Sequence, residues 1–429
     1  MKIRKLITFS LCLVTLFVLL YNYRVAEAEK YNSYGDAMDY VHLGVSLLKT
    51  GNYGHLELES GELLNDFKSG AIDEKDYDFK TYSTWRPPFW PYTISLIFFL
   101  FGFKLTHLIV FKMLLHIVGS FIFYKTLKNL NFDYWPIVIT VFLYCVSPSW
   151  QIYSRVFLSE PITLFLFTVF IYLLTQKHAL RSSKKTISIS IVGSLIIICH
   201  PYFLFFPFLG FLFLLVFKQV DFKRFVLGGI FILIIPLAWM LRNSWVLETN
   251  SLLLTTSTGA VMAKGWNKNV LKLHNNVNGD LADETLVLAD YNAEHRYKDD
   301  EVSKMNLYKD ATVNFIKTHS DLLLPIILKK LKSAFNPFAE YRKAGVLEKG
   351  RVIYHVLGFL AMIFVLFSKN KITRSLSLTL IFSTICITII TYSGFRFRVP
   401  QSALELFFVA FLIQFICERI AQKRIISTI

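Results

Sequence analysis

Long apolar blocks separated by short polar links run along this chain. A helix needs about 20 apolar residues to cross the roughly 30 Å hydrocarbon core of a bilayer, and most of the blocks approach that length. They lie near residues 6–22, 89–102, 105–124, 134–150, 157–175, 186–199, 201–217, 225–241, 352–368, 375–392 and 403–417. The pattern therefore predicts an all-α polytopic integral membrane protein.

Lysine and arginine in the links orient these blocks. They cluster in residues 2–5, 125–128, 177–185, 218–224, 369–374 and 419–424, which the positive-inside rule places in the cytoplasm. This assignment works only if block 89–102 does not cross, and its 14 residues are short for a span. We therefore predict about ten spans, both termini cytoplasmic, and a re-entrant or juxtamembrane helix at 89–102.

This topology divides the chain into five regions. They are a first transmembrane helix (1–22), a first loop segment with juxtamembrane helices (23–104), a transmembrane bundle (105–241), a second loop segment (242–351) and C-terminal transmembrane helices (352–429). The first loop segment contains a predicted helix from Asp36 to Leu48, broken by Gly51. An amphipathic helix is predicted over 321–335. Because Ala26-Glu27-Ala28 resembles a cleavage site, a removed signal peptide is the alternative for the N-terminus.

Composition agrees with a membrane solvent. The chain has 429 residues, of which 54% are hydrophobic and 18% charged, with a formal net charge of +16. The basic excess lies in the short links and forms no stripe or tail, so membrane topology explains it and nucleic acid is not an expected partner. The five cysteines lie in or beside apolar blocks without a CxxC motif, which indicates neither a disulfide framework nor a metal site.

Charged residues that could carry chemistry fall at the predicted outer surface of the membrane. Asp36 and Asp39 stand in Gly-Asp-Ala-Met-Asp-Tyr, before Trp-Arg-Pro-Pro at 85–88, and Glu160 opens a long apolar block. A carboxylate can remove the proton of an acceptor during an inverting sugar transfer. The alternative is structural, since Asp commonly caps helices and the helix dipole favours an acid at a helix start.

Arginines on the same predicted face form a second group. Arg242-Asn243 closes one block, and Arg396-Phe397-Arg398 precedes the last. Guanidinium groups suit bidentate phosphate contacts, although snorkelling at the membrane surface is an alternative. Lys112, inside a predicted span, could reach a lipid phosphate or serve only in packing. His200-Pro201 predicts a turn with a structural role only.

The order of these strings resembles the GT-C class of membrane glycosyltransferases, which includes protein O-mannosyltransferases and lipid A aminoarabinose transferases. The resemblance implies a GT-C-type bundle with Asp36 as catalytic base and Glu160 as the second acidic residue. It also implies that Arg242, Asn243, Arg396 and Arg398 hold a lipid phosphate, and that the loop with Ser257, Thr258, Gly259 and Asn267 lies near the sugar. Ala37 departs from the family, which often has an acid there, so Asp39 stays an alternative base.

The resemblance implies an inverting transferase at the external face of the bacterial cytoplasmic (inner) membrane. Its expected partners are membrane lipids, a polyprenyl-phosphate-linked sugar donor and a lipid, glycan or protein acceptor. No cofactor is firmly implied, although Glu160 leaves room for a divalent metal, Mg²⁺ or Mn²⁺. One rival is a flippase or transporter of lipid-linked sugars, which should have charged residues deep in several spans, whereas these spans are nearly uncharged. Another is a polysaccharide polymerase or ligase, which the long second loop segment keeps open.

Overall fold

The computed structural model describes residues 2–33, 35–176, 179–272, 284–291, 300–336 and 345–426. The helices of its first half are α1 (Lys2–Glu29), α2 (Asp36–Thr50), α3 (Ser60–Ser69), α4 (Phe89–Phe101), α5 (Leu105–Asn129), α6 (Tyr134–Cys145), α7 (Pro148–Ser154), α8 (Glu160–Thr175) and α9 (Ser183–Cys199). Those of the second half are α10 (Phe205–Val216), α11 (Phe222–Val246), α12 (Thr258–Gly265), α13 (Glu301–Thr318), α14 (Ser320–Phe335), α15 (Val346–Leu366), α16 (Lys371–Ile390) and α17 (Arg398–Ile426). Two short strands, β1 (Gly54–Leu56) and β2 (Phe79–Tyr82), pair antiparallel, with Gly54 opposite Tyr82.

Several helices are built for a lipid environment. Within the described residues, six helices are long and apolar enough to cross a membrane: Arg4–Asn32, Leu105–Asn129, Tyr134–Ser154, Phe222–Val246, Val346–Leu366 and Lys371–Ile390. Large side chains such as Phe9 and Phe17 on α1 are more than half exposed, and an exposed apolar surface of this extent requires an apolar surrounding. The prediction of a multi-pass helical membrane protein is confirmed, while the count of ten spans and the orientation of the termini stay predictions.

Helix α8 lies at the centre of the bundle. Twelve of its 16 residues are buried, and it packs against α5, α9 and α17. At 1.5 Å per residue, such a helix is about 24 Å long, shorter than the hydrocarbon core. Because α8 is buried from its first residue, Glu160 lies inside the protein, at one end of the bundle, and not in solvent.

Helices α2 and α4 form the close-packed base of the first loop segment. The predicted helix from Asp36 is observed as Asp36–Thr50, and it ends at Gly51, whose φ of 74° is a left-handed conformation that glycine adopts readily. A Cβ on Gly44 would lie 2.6 Å from Ile94 Cγ2, so this glycine permits the two helices to pack closely. Helix α4 has 13 residues, and its placement as a helix that does not cross the membrane stays a prediction.

The second loop segment has a small core of its own. Apolar residues of α12, α13 and α14 pack together, among them Ala263, Tyr308, Phe315 and Ile326. The predicted amphipathic helix is observed as α14, with Ile326, Lys330 and Ala334 on its buried face. Because α12 also packs on α16, this unit is held against the bundle.

Candidate active site

A cavity of about 440 Å³ lies between the loop segments and one end of the bundle. Its acidic and basic lining residues, histidine included, are Asp36, Arg86, Glu160, His200, Lys309 and Arg396. Much of the remaining lining is apolar and includes Leu204, Phe205, Met240, Leu252, Leu253, Leu254, Val261, Met262, Ile387 and Ile390. The cavity thus offers charged groups and an extended apolar surface to one ligand.

Asp36 is bound by two arginines. It is the first residue of α2, where the helix dipole favours a negative charge. Arg396 Nη1 lies 2.8 Å from Asp36 Oδ2, and Arg86 Nη2 lies 2.5 Å from Asp36 Oδ1. Burial alone would raise the pKa of Asp36, but the charges and hydrogen bonds of Arg396 and Arg86 outweigh it and hold that pKa below its usual range. Asp36 is therefore ionised at neutral pH.

Asp39 lies nearly one turn further along α2 and shares Arg86 with Asp36. Its Oδ2 accepts hydrogen bonds from Arg86 Nη2 at 2.6 Å and Nε at 3.1 Å. Its side chain is 34% exposed, close to the 30% of Asp36. Asp39 is not among the residues that line the cavity, whereas Asp36 is. Of the two carboxylates, Asp36 is better placed to meet a ligand.

Glu160 and His200 support Arg396 from the bundle side. Glu160 is only 2% exposed, and its Oε1 lies 3.8 Å from Arg396 Nε and 3.9 Å from His200 Nε2. His200 ends α9 and lines the cavity. The sequence assigned His200 a structural turn only, and the structure adds a contact with a buried carboxylate. Arg396 thus bridges Asp36 and Glu160, which are separated by 124 positions in the chain.

Arg398 is only two positions beyond Arg396 but serves a different neighbourhood. Its guanidinium donates to the backbone carbonyls of Ser333, Ala334 and Asn336, with 2.7 Å to the last. These are orphan carbonyls at the end of α14, where a cation is favourable. Arg398 is absent from the lining of the cavity. The structure therefore does not bring it together with Arg396 around a common ligand.

Arg242 and Asn243 lie behind the cavity wall. Arg242 Nη2 donates to the Tyr53 carbonyl at 3.2 Å, and its guanidinium lies 4.8 Å from the centre of the Trp239 ring. Asn243 is fully buried and donates to the Leu253 carbonyl at 2.8 Å. Leu253 lines the cavity, while Arg242 and Asn243 do not. Their contact with a lipid phosphate stays a prediction.

Lys112 is also separate from the cavity. It is fully buried on α5, donates to the Val156 carbonyl and lies 5.4 Å from the centre of the Phe157 ring. The structure gives it a packing partner and a backbone acceptor, which is the alternative that the sequence left open.

The loop expected near the sugar divides in two. Ser257, Thr258 and Gly259 line the cavity. Asn267 does not; it is 1% exposed and donates to the Ala263 carbonyl at 3.0 Å. This contact makes Asn267 a structural cap at the end of α12.

Arg86 is the residue that the sequence did not single out. It stands in the Trp-Arg-Pro-Pro string and was assigned no role, yet it binds both acids of α2. A cation directly before two prolines, within an acidic segment, was the available signal. Its partners could not be inferred, because ion pairs 50 positions apart leave no periodic pattern.

The donor atoms at the site do not match a carboxylate metal centre. Across the described residues, no group of three or more His, Cys, Asp or Glu side chains is arranged to hold a metal ion. Asp36 and Asp39 are bound by Arg86, whose charge repels a cation. The chemistry proposed for this chain therefore includes no metal-dependent step.

Comparisons with known proteins include a distant structural match. The sequence matches no family model and no curated protein. ArnT from Cupriavidus metallidurans, whose crystal structure was solved with undecaprenyl phosphate bound, aligns over 92% of this chain and 77% of its own, with a TM-score of 0.39 and 11% identity. A similarity this low assigns neither a family nor a function, so the functional argument rests on the residues of this chain.

Proposed function

We propose that this chain is a GT-C-type glycosyltransferase that transfers a sugar from a polyprenyl-phosphate donor to a lipid, glycan or protein acceptor. The observation that carries the proposal is the bridge that Arg396 forms between Asp36 and Glu160 in the cavity wall. A carboxylate and a guanidinium in contact can supply a proton acceptor and a phosphate ligand to one bound substrate.

The cavity suits a lipid-linked sugar phosphate in size and polarity. Its volume of about 440 Å³ is within the usual range for ligand pockets, about 300 to 1,000 Å³. Apolar residues such as Met240, Leu253 and Ile387 offer contact to a prenyl chain, and Arg396 offers a partner for its phosphate. In the predicted topology this end of the bundle faces the outside of the bacterial cytoplasmic membrane.

The proposed reaction is a single displacement at the anomeric carbon. An acceptor oxygen or nitrogen forms the new bond to that carbon while the bond from the carbon to the phosphate oxygen breaks on the opposite face. The acceptor proton passes to the carboxylate of Asp36, and the electron pair leaves with the polyprenyl phosphate. Because the acceptor attacks from the face opposite the leaving phosphate, the configuration of the anomeric carbon is inverted without a covalent intermediate. Arg396 stabilises the charge that develops on the leaving phosphate.

Glu160 and His200 orient Arg396 in this scheme. Glu160 lies 3.8 Å from Nε of this guanidinium, while Nη1 faces Asp36 and is the group proposed to meet a phosphate. Ser257 and Thr258, which line the cavity, are proposed to contact the sugar. The remaining predicted site residues are proposed to stabilise the cavity wall and the bundle. They are Arg242, Asn243, Arg398, Lys112 and Asn267.

A donor panel tests the proposal. Purified protein in lipid nanodiscs is incubated with radiolabelled polyprenyl-phosphate sugars and extracts of candidate acceptors, and sugar transfer is compared between the natural chain and Asp36→Asn. Transfer by the natural chain that is lost in the variant supports the proposal. Binding of undecaprenyl phosphate with no transfer from any donor argues against it, and movement of lipid-linked sugar across the bilayer would then favour a transporter.

A further inference from the structure

Glu301, outside the cavity, joins three separate segments. It is the first residue of α13, and its side chain is 19% exposed. Its carboxylate accepts hydrogen bonds from the Ser83 hydroxyl at 2.5 Å, the Thr84 amide at 2.9 Å and the Thr256 hydroxyl at 2.6 Å. His55 Nε2 from β1 lies 3.5 Å from the same carboxylate. One side chain thus links the two loop segments.

Each bonded segment continues directly into the cavity wall. Thr84 is followed by Trp85 and Arg86, both lining residues. Thr256 is followed by lining residues 257–259, and α13 itself contributes Met305 and Lys309. The Thr256 amide also donates to the Thr84 carbonyl at 3.1 Å, which ties two of the segments to each other.

The contacts require a charged carboxylate at this position. Burial alone would raise the pKa of Glu301, but the hydrogen bonds from His55, Ser83, Thr256 and the Thr84 amide lower it, so the group is ionised at neutral pH. Three donors converge on two oxygen atoms that carry no proton. A glutamine would present an amide NH₂ in place of one charged oxygen, so a hydroxyl donor would have to reverse its hydrogen bond, and the remaining bonds would lose the strength that the carboxylate charge gives them.

We propose that Glu301 is a positioning residue, which holds three segments of the cavity wall in register and thereby fixes Arg86 on Asp36. The inference rests on the proposed transferase function. Glu301 touches neither the cavity nor the reacting atoms. It binds the Thr84 amide, and Arg86 follows Thr84 by two positions in the chain. Arg396, which approaches from the other side of the cavity, is independent of these contacts.

A matched pair of variants tests the inference in nanodiscs. Asp66→Asn removes the charge of another buried carboxylate, which binds Lys75 and Tyr77 within the first loop segment and lines no part of the cavity. In Glu301→Gln we expect amide hydrogen exchange in peptides covering 83–86 and 255–258 to become at least about tenfold faster. We expect Asp66→Asn to leave exchange in both peptides unchanged.

Turnover is measured for each variant per site that binds undecaprenyl phosphate, so that unfolded protein does not contribute. We expect Glu301→Gln to lose about 10- to 100-fold in kcat, the scale of a misplaced catalytic group, with the KM for donor nearly unchanged. Unchanged exchange in Glu301→Gln, or faster exchange with full turnover per site, overturns the inference. If the natural chain binds the lipid but transfers no sugar, the transferase proposal fails and exchange alone decides whether Glu301 orders the wall.

Discussion

Replacing Asp36 with asparagine should abolish transfer and yet strengthen the binding of polyprenyl phosphate. In the structure Asp36 and Arg396 form a direct ion pair, with 2.8 Å between Oδ2 and Nη1. A donor phosphate that uses the Arg396 guanidinium has to share it with this carboxylate. Removing the negative charge of Asp36 while keeping its size ends that competition and also removes a charge that repels the phosphate.

The size of the effect follows from the exposure of the pair. A hydrogen bond to a charged group contributes about 1.5 to 3 kcal/mol when well buried. Asp36 and Arg396 have side chains 30% and 19% exposed, so solvent screening reduces their pairing to about 1 to 2 kcal/mol. With about 1.4 kcal/mol per tenfold change in affinity, the variant should bind undecaprenyl phosphate about 5- to 30-fold more tightly.

Asp39→Asn is the matched control. Asp39 lies on the same helix with nearly the same exposure, but its carboxylate binds Arg86, and in the described part of the chain it forms no ion pair with Arg396. Its substitution removes an equal charge near the site without releasing the proposed phosphate ligand. We expect its affinity for undecaprenyl phosphate to change by no more than about threefold.

The assay is displacement of radiolabelled undecaprenyl phosphate from protein in nanodiscs, at low and at physiological salt. The tighter binding of Asp36→Asn should exceed that of Asp39→Asn at both salt concentrations, because a partly buried pair is only weakly screened. Equal affinities for the two variants, or weaker binding by Asp36→Asn, would refute the assignment of Arg396 as the phosphate ligand.

Three further predictions concern the neighbouring residues. Arg396→Ala should weaken undecaprenyl phosphate binding by at least about tenfold. Arg398→Ala should leave that binding unchanged and lower Tm, because Arg398 binds the end of α14. Displacement of the labelled lipid measures the first effect, and thermal unfolding measures the second. Burial, aided by a neighbouring histidine, lowers the pKa of His42 to about 4. The unfolded chain therefore binds more protons than the folded chain between pH 6.5 and 4. As the pH falls through this window, the free energy of unfolding should fall by up to about 1.4 kcal/mol per pH unit. Denaturation at pH 7, 6 and 5 should show this slope in the natural chain and a flatter one in His42→Gln. Gly259→Ala places a Cβ 2.2 Å from a backbone carbonyl of α13 and should cost about 1 to 3 kcal/mol in unfolding free energy, while Gly61→Ala, which meets open space, should not destabilise the protein.

Features determined by short stretches of sequence were predictable. The helix expected from Asp36 to Leu48 is present and extends to Thr50, because its stop signal, Gly51, acts locally through its backbone conformation. The short element after the proline-rich string is present as α4 for the same reason, since its length is set between Pro88 and Gly102. Such features depend on periodicity and on capping, and both are visible in one sequence.

Pairings across the fold were not predictable. Arg396 and Arg398 look equivalent in the sequence, but Arg396 lies within the short helical turn Phe395–Phe397, whereas Arg398 begins α17, and they bind different parts of the protein. The partners of Arg86 and Glu301 have no local signal, since they lie far away in the chain. A single sequence records which residues are charged, whereas the packing of α2, α13 and the bundle decides which charges meet.

Three carboxylates with a proposed role occupy the same kind of position in the fold. Asp36, Glu160 and Glu301 are each the first residue of a helix, namely α2, α8 and α13. From the sequence, the structural alternative was capping for Asp36 and the helix dipole for Glu160, while Glu301 was not considered. In the structure the N-cap residues of the three helices are Gly35, Ser159 and Asp300. The dipole at a helix start stabilises the charge, and the side chain stays available for partners beyond its own helix. The helix start therefore places each carboxylate, and this structural role is compatible with the function proposed for it.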